Sequence, residues 1–169
     1  MFDITAIGEL LIDMAQSGMS DIGSPIFEAN PGGAPCNVLA MLNKLGRSTA
    51  FIGKVGDDIF GKKLKNIVES SGTDIGGLVF DENVRTTLAF VETDEYGDRN
   101  FSFYRAPGAD MMLREDEVNV DIIKQSRVLH FGTLSMTHDG VEKATVKAIE
   151  TAKDSDLLLS FDPNLRPPL

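Results

Sequence analysis

Apolar and polar positions fall into blocks along this chain, and the blocks follow two different periods. Ile4-Thr5-Ala6-Ile7-Gly8-Glu9-Leu10-Leu11-Ile12-Asp13 reads as a strand running into a polar end. Residues 15–31 are rich in Ser, Gly, Pro and Asn, and within them Ser24-Pro25-Ile26-Phe27-Glu28-Ala29 reads as a short exposed strand. Pro35 opens a helix through Leu45, with Val38, Met41, Leu42 and Leu45 on one face, and Gly46 stops it. Thr49-Ala50-Phe51-Ile52 is the apolar centre of a strand over 48–55. Asp58 is placed to cap a helix over 59–70 with Phe60, Leu64, Ile67 and Val68 as its buried stripe. Leu78-Val79-Phe80 is a further strand.

The segment 84–106 behaves differently. Thr87–Val91 and Asn100–Arg105 flank the turn residues 94–98, and the second run alternates strictly, which predicts a hairpin solvated on one face. Together with residues 12–31 it forms, on this reading, a small sheet outside the main body. The tail returns to the earlier pattern. Val128-Leu129-His130-Phe131 is a strand ending at Gly132-Thr133, residues 139–153 form a helix with Val141, Ala144, Ala148 and Ile149 inward, and Leu157–Phe161 reads as a strand covered on both faces.

Strands alternating with helices, several of the strands continuously apolar, predict an α/β fold with a mainly parallel sheet and flanking helices. Nothing follows the last strand except the Pro-rich stretch 162–169, so the sheet looks unfinished. The expectation is one incomplete α/β unit over 1–169, with lid segments 12–31 and 84–106 inserted. No apolar run approaches the ~20 residues of a membrane span, and the start of the chain has an acid in place of a basic leader. The formal net charge of −10 argues against a nucleic-acid partner. The single cysteine, Cys36, has no neighbouring base and reads as a packed thiol; His130 and His138 have no cysteine at ligand spacing, so no metal site is expected. These features fit a cytoplasmic protein.

In open α/β sheets, ligands bind beyond the carboxyl ends of the strands. Those ends collect Glu9 and Asp13, then Gly132 and Thr133, then Asp162, Asn164 and Arg166. Pro31-Gly32-Gly33-Ala34-Pro35-Cys36-Asn37 adds two glycines at the mouth of a helix, where free N–H groups and a positive dipole end are on offer. Such a turn suits an anion or a polyol, and a plain turn explains it equally well. By contrast, Gly56-Asp57-Asp58-Ile59-Phe60-Gly61-Lys62-Lys63 only imitates a phosphate loop: Lys63 stands where Ser or Thr should hold magnesium, and two aspartates would repel phosphate. Phe101, Phe103, Tyr104 and Arg105 on the hairpin suit a lid over a ligand or an interface between chains.

Taken jointly, Gly32–Ala40, Leu45-Gly46, Gly53–Asp58 and Phe60-Gly61 resemble the first signature of the ribokinase-like (PfkB) carbohydrate kinases. Gly8–Asp13, Pro107–Asp110 and Asp162–Arg166 look most like fructokinases within that family, while Tyr104-Arg105 also fits 2-keto-3-deoxygluconate kinases. The resemblance implies ATP-dependent phosphorylation of a sugar hydroxyl, with ATP and Mg2+ as cofactors and a homodimer through the lid. It implies that Asp13 accepts hydrogen bonds from sugar hydroxyls and that Gly32, Gly33 and Asn37 form the pocket floor. Phe101 would pack on the sugar, Arg105 would contact it, and Asn164 and Arg166 would lie near the sugar or the phosphate path. Family members are roughly twice as long, and their second signature, which carries the general base and an anion hole, has no counterpart here. The chain alone is therefore expected to bind sugar at most, without a catalytic residue of its own; a non-catalytic sugar-binding or regulatory role is the other reading.

Overall fold

The first apolar run does not stay in one strand. In the computed structural model, which describes residues 1–93 and 99–164, Ile4–Ile7 (β1) lies in one sheet and Leu11–Met19 (β2) lies in another. The hand-over occurs at Gly8-Glu9-Leu10: Gly8 N–H still reaches the Ile52 carbonyl at 3.1 Å, whereas Ile12 N–H reaches Thr87 at 3.1 Å. Periodicity misses this break because apolar residues continue through it on both sides.

After β2 come Pro25–Gly32 (β3), the helix Ala34–Lys44 (α1), Thr49–Gly56 (β4), the helix Ile59–Ser70 (α2) and Asp74–Asp81 (β5). The hairpin is Leu88–Thr93 (β6) and Arg99–Tyr104 (β7), followed by a short helix Val120–Lys124 (α3), Val128–Gly132 (β8), Asp139–Asp154 (α4) and Leu158–Asp162 (β9). Five strands form a parallel sheet in the order β5-β4-β1-β8-β9. The other four form a mixed sheet, β3-β2-β6-β7, in which β2 and β6 run parallel and the outer pairs antiparallel. The α/β class, the parallel sheet and the small second sheet therefore stand as expected.

Period two sends successive side chains of β1 to opposite faces, and both faces are covered. On one, Ile7 and Ile52 meet Ile122 and Ile123 of α3 and Val141, Ala144, Ala148 and Ala152 of α4. On the other, Ala6 and Phe51 meet Cys36 and Leu39 of α1 and Leu64 and Val68 of α2. Asp58 caps α2, its Oδ1 accepting Phe60 N–H at 3.0 Å and Gly61 N–H at 2.8 Å. Gly61 and Lys62 thus lie inside a helix and form no phosphate loop.

Three expectations need correction. The inward face of α1 is Pro35, Cys36 and Leu39, whereas Met41 and Leu45 are exposed. Both faces of this helix carry apolar groups, so periodicity alone could not choose between them. Second, β9 is not covered on both faces: it pairs with β8 at the sheet edge, and Leu158 is 72% exposed and Phe161 53%. Third, residues 109–124, to which the apolar pattern assigned no element, hold two 3-10 turns and α3. They are pinned by the buried Lys54, whose Nζ meets Asp81 at 3.1 Å, Glu117 at 2.9 Å and the Met112 carbonyl at 3.1 Å. Among the described residues, no helix is long and apolar enough to cross a membrane.

Candidate functional site

The register of the second sheet decides which side chains share a face. Asp13 pairs with Asn30 and with Ala89, Ala89 with Phe103, and Val91 with both Ala15 and Phe101. Period two then places Leu11, Asp13 and Ala15 of β2 on the same side as Phe101 and Phe103 of β7. That side overhangs the N-terminus of α1 and the carboxyl ends of β1 and β8. Between them is a cavity of about 420 Å3, within the range of small-molecule sites. Its walls include Glu9, Asp13, Asn30, Gly33, Asn37, Phe101, Phe103, Leu134 and Asn164.

Five of the eight positions singled out in the sequence meet there: Asp13, Gly33, Asn37, Phe101 and Asn164. Gly33 has φ 120°, in the region glycine favours, and a methyl on it would collide with the Glu9 carbonyl. Gly32 does not line the cavity, but a methyl there would run into the Asp13 carboxylate, so its bareness leaves room for that side chain. Asn37 is exposed in the first turn of α1. Asn164 is anchored from behind: its N–H donates to Asp162 Oδ1 at 3.0 Å. Phe101 and Phe103 stack with ring centres 6.0 Å apart. Arg166 lies outside the described residues.

Arg105 departs from expectation. Its side chain is 2% exposed and bonded to Asp110, Nη2 lying 2.7 Å from Oδ2. Nη1 donates to Thr137 Oγ1 at 2.9 Å and Nη2 to the Leu134 carbonyl at 3.1 Å. Asp110 in turn accepts the Thr87 hydroxyl. The guanidinium is thus absent from the cavity wall and ties the end of β7 to the loop after β8. A planar, weakly hydrated cation with five donors is the side chain best suited to that burial.

Glu9 was visible in the sequence only as a polar strand end. It is 4% exposed and lies in the β1–β2 hand-over. Its Oε1 accepts Ala34 N–H at 2.9 Å, supplying α1 with the cap that Gly33 has no side chain to give. Oε2 is buried without a hydrogen-bond partner among the described residues. Burial pushes this carboxyl up to about 7; its own N–H and that of Ala34 oppose the rise, Asp110 adds to it and Arg105 opposes it. Only the tertiary arrangement brings residue 9 to residue 34, so no local pattern could have found this contact.

Cys36 is buried, and loss of water together with the nearby Glu9 raises its thiol well above the ordinary range, which fits a packed, unreactive side chain. His130 is also interior, its Nδ1 3.0 Å from Ser160 Oγ. No group of three His, Cys, Asp or Glu side chains among the described residues is arranged to hold a metal ion.

Known proteins resemble this chain in sequence and in fold. Probable fructokinase-5 of Arabidopsis thaliana is 48% identical over 98% of this chain and 52% of its own length. The crystal structure of fructokinase from Xylella fastidiosa superposes with a TM-score of 0.93 at 32% identity, covering 99% of this chain and 52% of that one. The Xylella fastidiosa fructokinase structure with bound ATP gives 0.91 at 32% identity over 100% and 51%. The chain spans about half the length of the curated relatives it matches. The family described as pfkB family carbohydrate kinase matches residues 1–169 throughout, and on that match the chain belongs to the pfkB family of carbohydrate kinases.

Proposed function

We propose that this chain is the sugar-holding part of an ATP-dependent sugar kinase whose acceptor is fructose. One observation carries the choice of ligand. Among the described residues lining the cavity, Asp13, Asn30 and Asn37 offer a carboxyl and two amides to a ligand, and neither lysine nor arginine is present. Such a wall suits a neutral polyol: carboxylates and amides accept and donate to hydroxyls, and Phe101 and Phe103 cover an apolar sugar face. A keto-deoxy acid would bring a carboxylate needing a cation, and Arg105 is already occupied by Asp110. This favours fructose over 2-keto-3-deoxygluconate. The fructokinase names of its relatives point the same way.

In this reading Asp13 accepts hydroxyl hydrogen bonds, Asn37 donates and accepts, and Gly33 lets the ligand approach the mouth of α1. Asn164 closes the far wall. In the longer enzyme the sugar hydroxyl oxygen bonds to the γ-phosphorus of ATP, the bridge to ADP breaks, and the hydroxyl proton passes to a base. Catalysis of that kind rests on positioning and charge stabilisation. On this reading the base and most of the ATP and Mg2+ sites belong to the part of the longer enzyme that this chain does not span. The chain alone therefore holds sugar without turning it over.

Calorimetric titration with fructose, 2-keto-3-deoxygluconate and ribitol tests the reading, alongside an ATP-coupled assay. Fructose binding that Asp13→Ala weakens at least tenfold, with no turnover, is the expected result. Preferential binding of the keto-deoxy acid, or robust fructose phosphorylation by this chain, would refute it. Pairing of two copies through the second sheet belongs to the same proposal. Its support is the outer aromatic group Phe27, Phe90 and Tyr104, with ring centres 5.2 Å and 5.1 Å apart and Tyr104 66% exposed. Phe103, which the sequence offered as an interface residue, faces the cavity. Light scattering on Tyr104→Glu therefore tests the dimer, and a mass unchanged from a dimeric wild type would place the interface elsewhere.

A further inference from the structure

Two buried acids lie close to one buried cation beneath the cavity, and the cation serves only one of them. Arg105 commits its donors to Asp110, Thr137 and the Leu134 carbonyl. Among the described residues Glu9 takes one hydrogen bond from a distant segment, from Ala34 N–H, and its second oxygen meets no partner. Around it stand Asp110 on a 3-10 turn, Arg105 at the end of β7 and the Cys36 thiol on α1. Asp13 on β2 lines the same cavity. Lys54, the other buried cation among the described residues, is paired with Asp81 and Glu117. A buried polar atom left unsatisfied in an otherwise satisfied network calls for a specific explanation.

We propose that Glu9 is a positioning residue whose carboxyl holds the mouth of α1, with Gly33 and Asn37, against the β1–β2 link, and whose proton occupancy is coupled to filling of the cavity by a neutral polyol. The coupling rests on the sugar reading above; the hold on α1 does not. The physical reasoning is short. Glu9 is 4% exposed and lines the cavity, so a ligand there replaces the water nearest its buried carboxyl with a less polar body. Removing that water disfavours the anion. The filled cavity therefore prefers protonated Glu9, and by reciprocity protonated Glu9 prefers the filled cavity. Binding takes up a proton in the neutral range, where the carboxyl titrates, and affinity falls as pH rises through about 7. Gln at this position keeps an oxygen for Ala34 N–H and cannot ionise, so Glu9→Gln separates shape from charge.

Two measurements on the 169-residue chain test this. In the ligand-free protein, the Ala34 amide resonance is followed by NMR between about pH 5 and pH 9. A sigmoid with its midpoint near 7 in wild type and a flat response in Glu9→Gln support the proposal. An amide that does not titrate, or that titrates equally in both, overturns the positioning role. Fructose is then titrated calorimetrically at about pH 6, 7 and 8 in phosphate and in Tris. The expected wild-type result is an affinity falling about threefold or more across the series, with an observed enthalpy at pH 7 that differs between buffers because a proton is taken up. Glu9→Gln should show neither effect. Equal slopes in the two proteins overturn the coupling. A titrating Ala34 amide in a chain that binds no polyol supports the positioning role and overturns the sugar reading, and the coupling with it.

Discussion

Arg105 and Asp110 form an ion pair that is almost entirely sealed from water, Nη2 to Oδ2 at 2.7 Å with side-chain exposures of 2% and 1%. The pair joins the first residue after β7 to the turn leading toward α3, and through Thr137 and Leu134 to the loop following β8. One wall of the cavity, Leu134, is therefore held from behind by a residue outside the cavity lining.

Breaking this pair leaves a buried charge uncompensated. Arg105→Ala is expected to cost about 3–5 kcal/mol, and Arg105→Lys much of that, because a lysine cannot supply the forked contacts. Replacing both partners, as in Arg105→Met with Asp110→Leu, should recover most of the loss. Chemical denaturation checks this; a double replacement no better than the single one would show that the network matters more than the pair.

Asp58 performs two tasks with one carboxylate. It caps α2, and its Oδ2 accepts Thr86 N–H at 2.8 Å while Oδ1 accepts the Thr86 hydroxyl at 2.9 Å, joining the helix to the entry of β6. Burial by itself would raise this carboxyl, but the hydrogen bonds from Thr86, Gly61 and Phe60 outweigh it and lower it. Its stabilising effect is present at neutral pH and is lost as acid protonates it below the ordinary aspartate range. Asp58→Ala should cost about 2 kcal/mol at neutral pH, the upper end for a lost cap, and the difference should shrink in acid denaturation series.

Glu9 has the opposite sign. Its carboxyl moves from 4.5 to about 7 on folding. Below 4.5 it is protonated in both states and costs nothing. Between 4.5 and 7 the fold holds a proton that the unfolded chain has released, so stability falls as pH rises, and above 7 the penalty is complete. Glu9→Gln should therefore match wild type near pH 4 and exceed it near pH 8 by up to about 3 kcal/mol. Thermal unfolding at the two pH values reads this directly; a Gln variant no more stable at high pH would contradict the burial of that charge.

The β9 edge presents Leu158, Leu159 and Phe161 to solvent at 72%, 40% and 53% exposure. An open edge with apolar side chains templates association. Phe161→Glu should reduce self-association of this chain, measured by sedimentation, while leaving the far-UV circular dichroism unchanged. An association constant untouched by the charge would move the sticky surface elsewhere.

Much of the architecture was legible because it depends on local chemistry. The Asp58 cap and the Leu64–Val68 stripe identify α2 from sequence alone, and alternation at 100–105 identifies the hairpin. The glycine pair and Asp13 were also visible, since backbone access and a strand-end carboxylate each leave a residue-type signature. Less legible were features in which two distant segments share one contact. Both faces of α1 are apolar, so the inward one is set by where the helix lands on β1 and β4. Arg105 looked like a ligand contact because nothing local reveals that Asp110 turns back to meet it.

The sequence by itself determined most of the secondary structure, though not the β1–β2 break or the turns of 109–124, together with the α/β class and the residue types gathered at the strand ends, because propensity, capping and period act over a few residues. Tertiary structure alone decided that Asp13 and Asn37 share one cavity, that Arg105 is buried away from it, and that Glu9 spans to Ala34. Those outcomes depend on pairing register and on loss of water, and both exist only after segments far apart in the chain have come together.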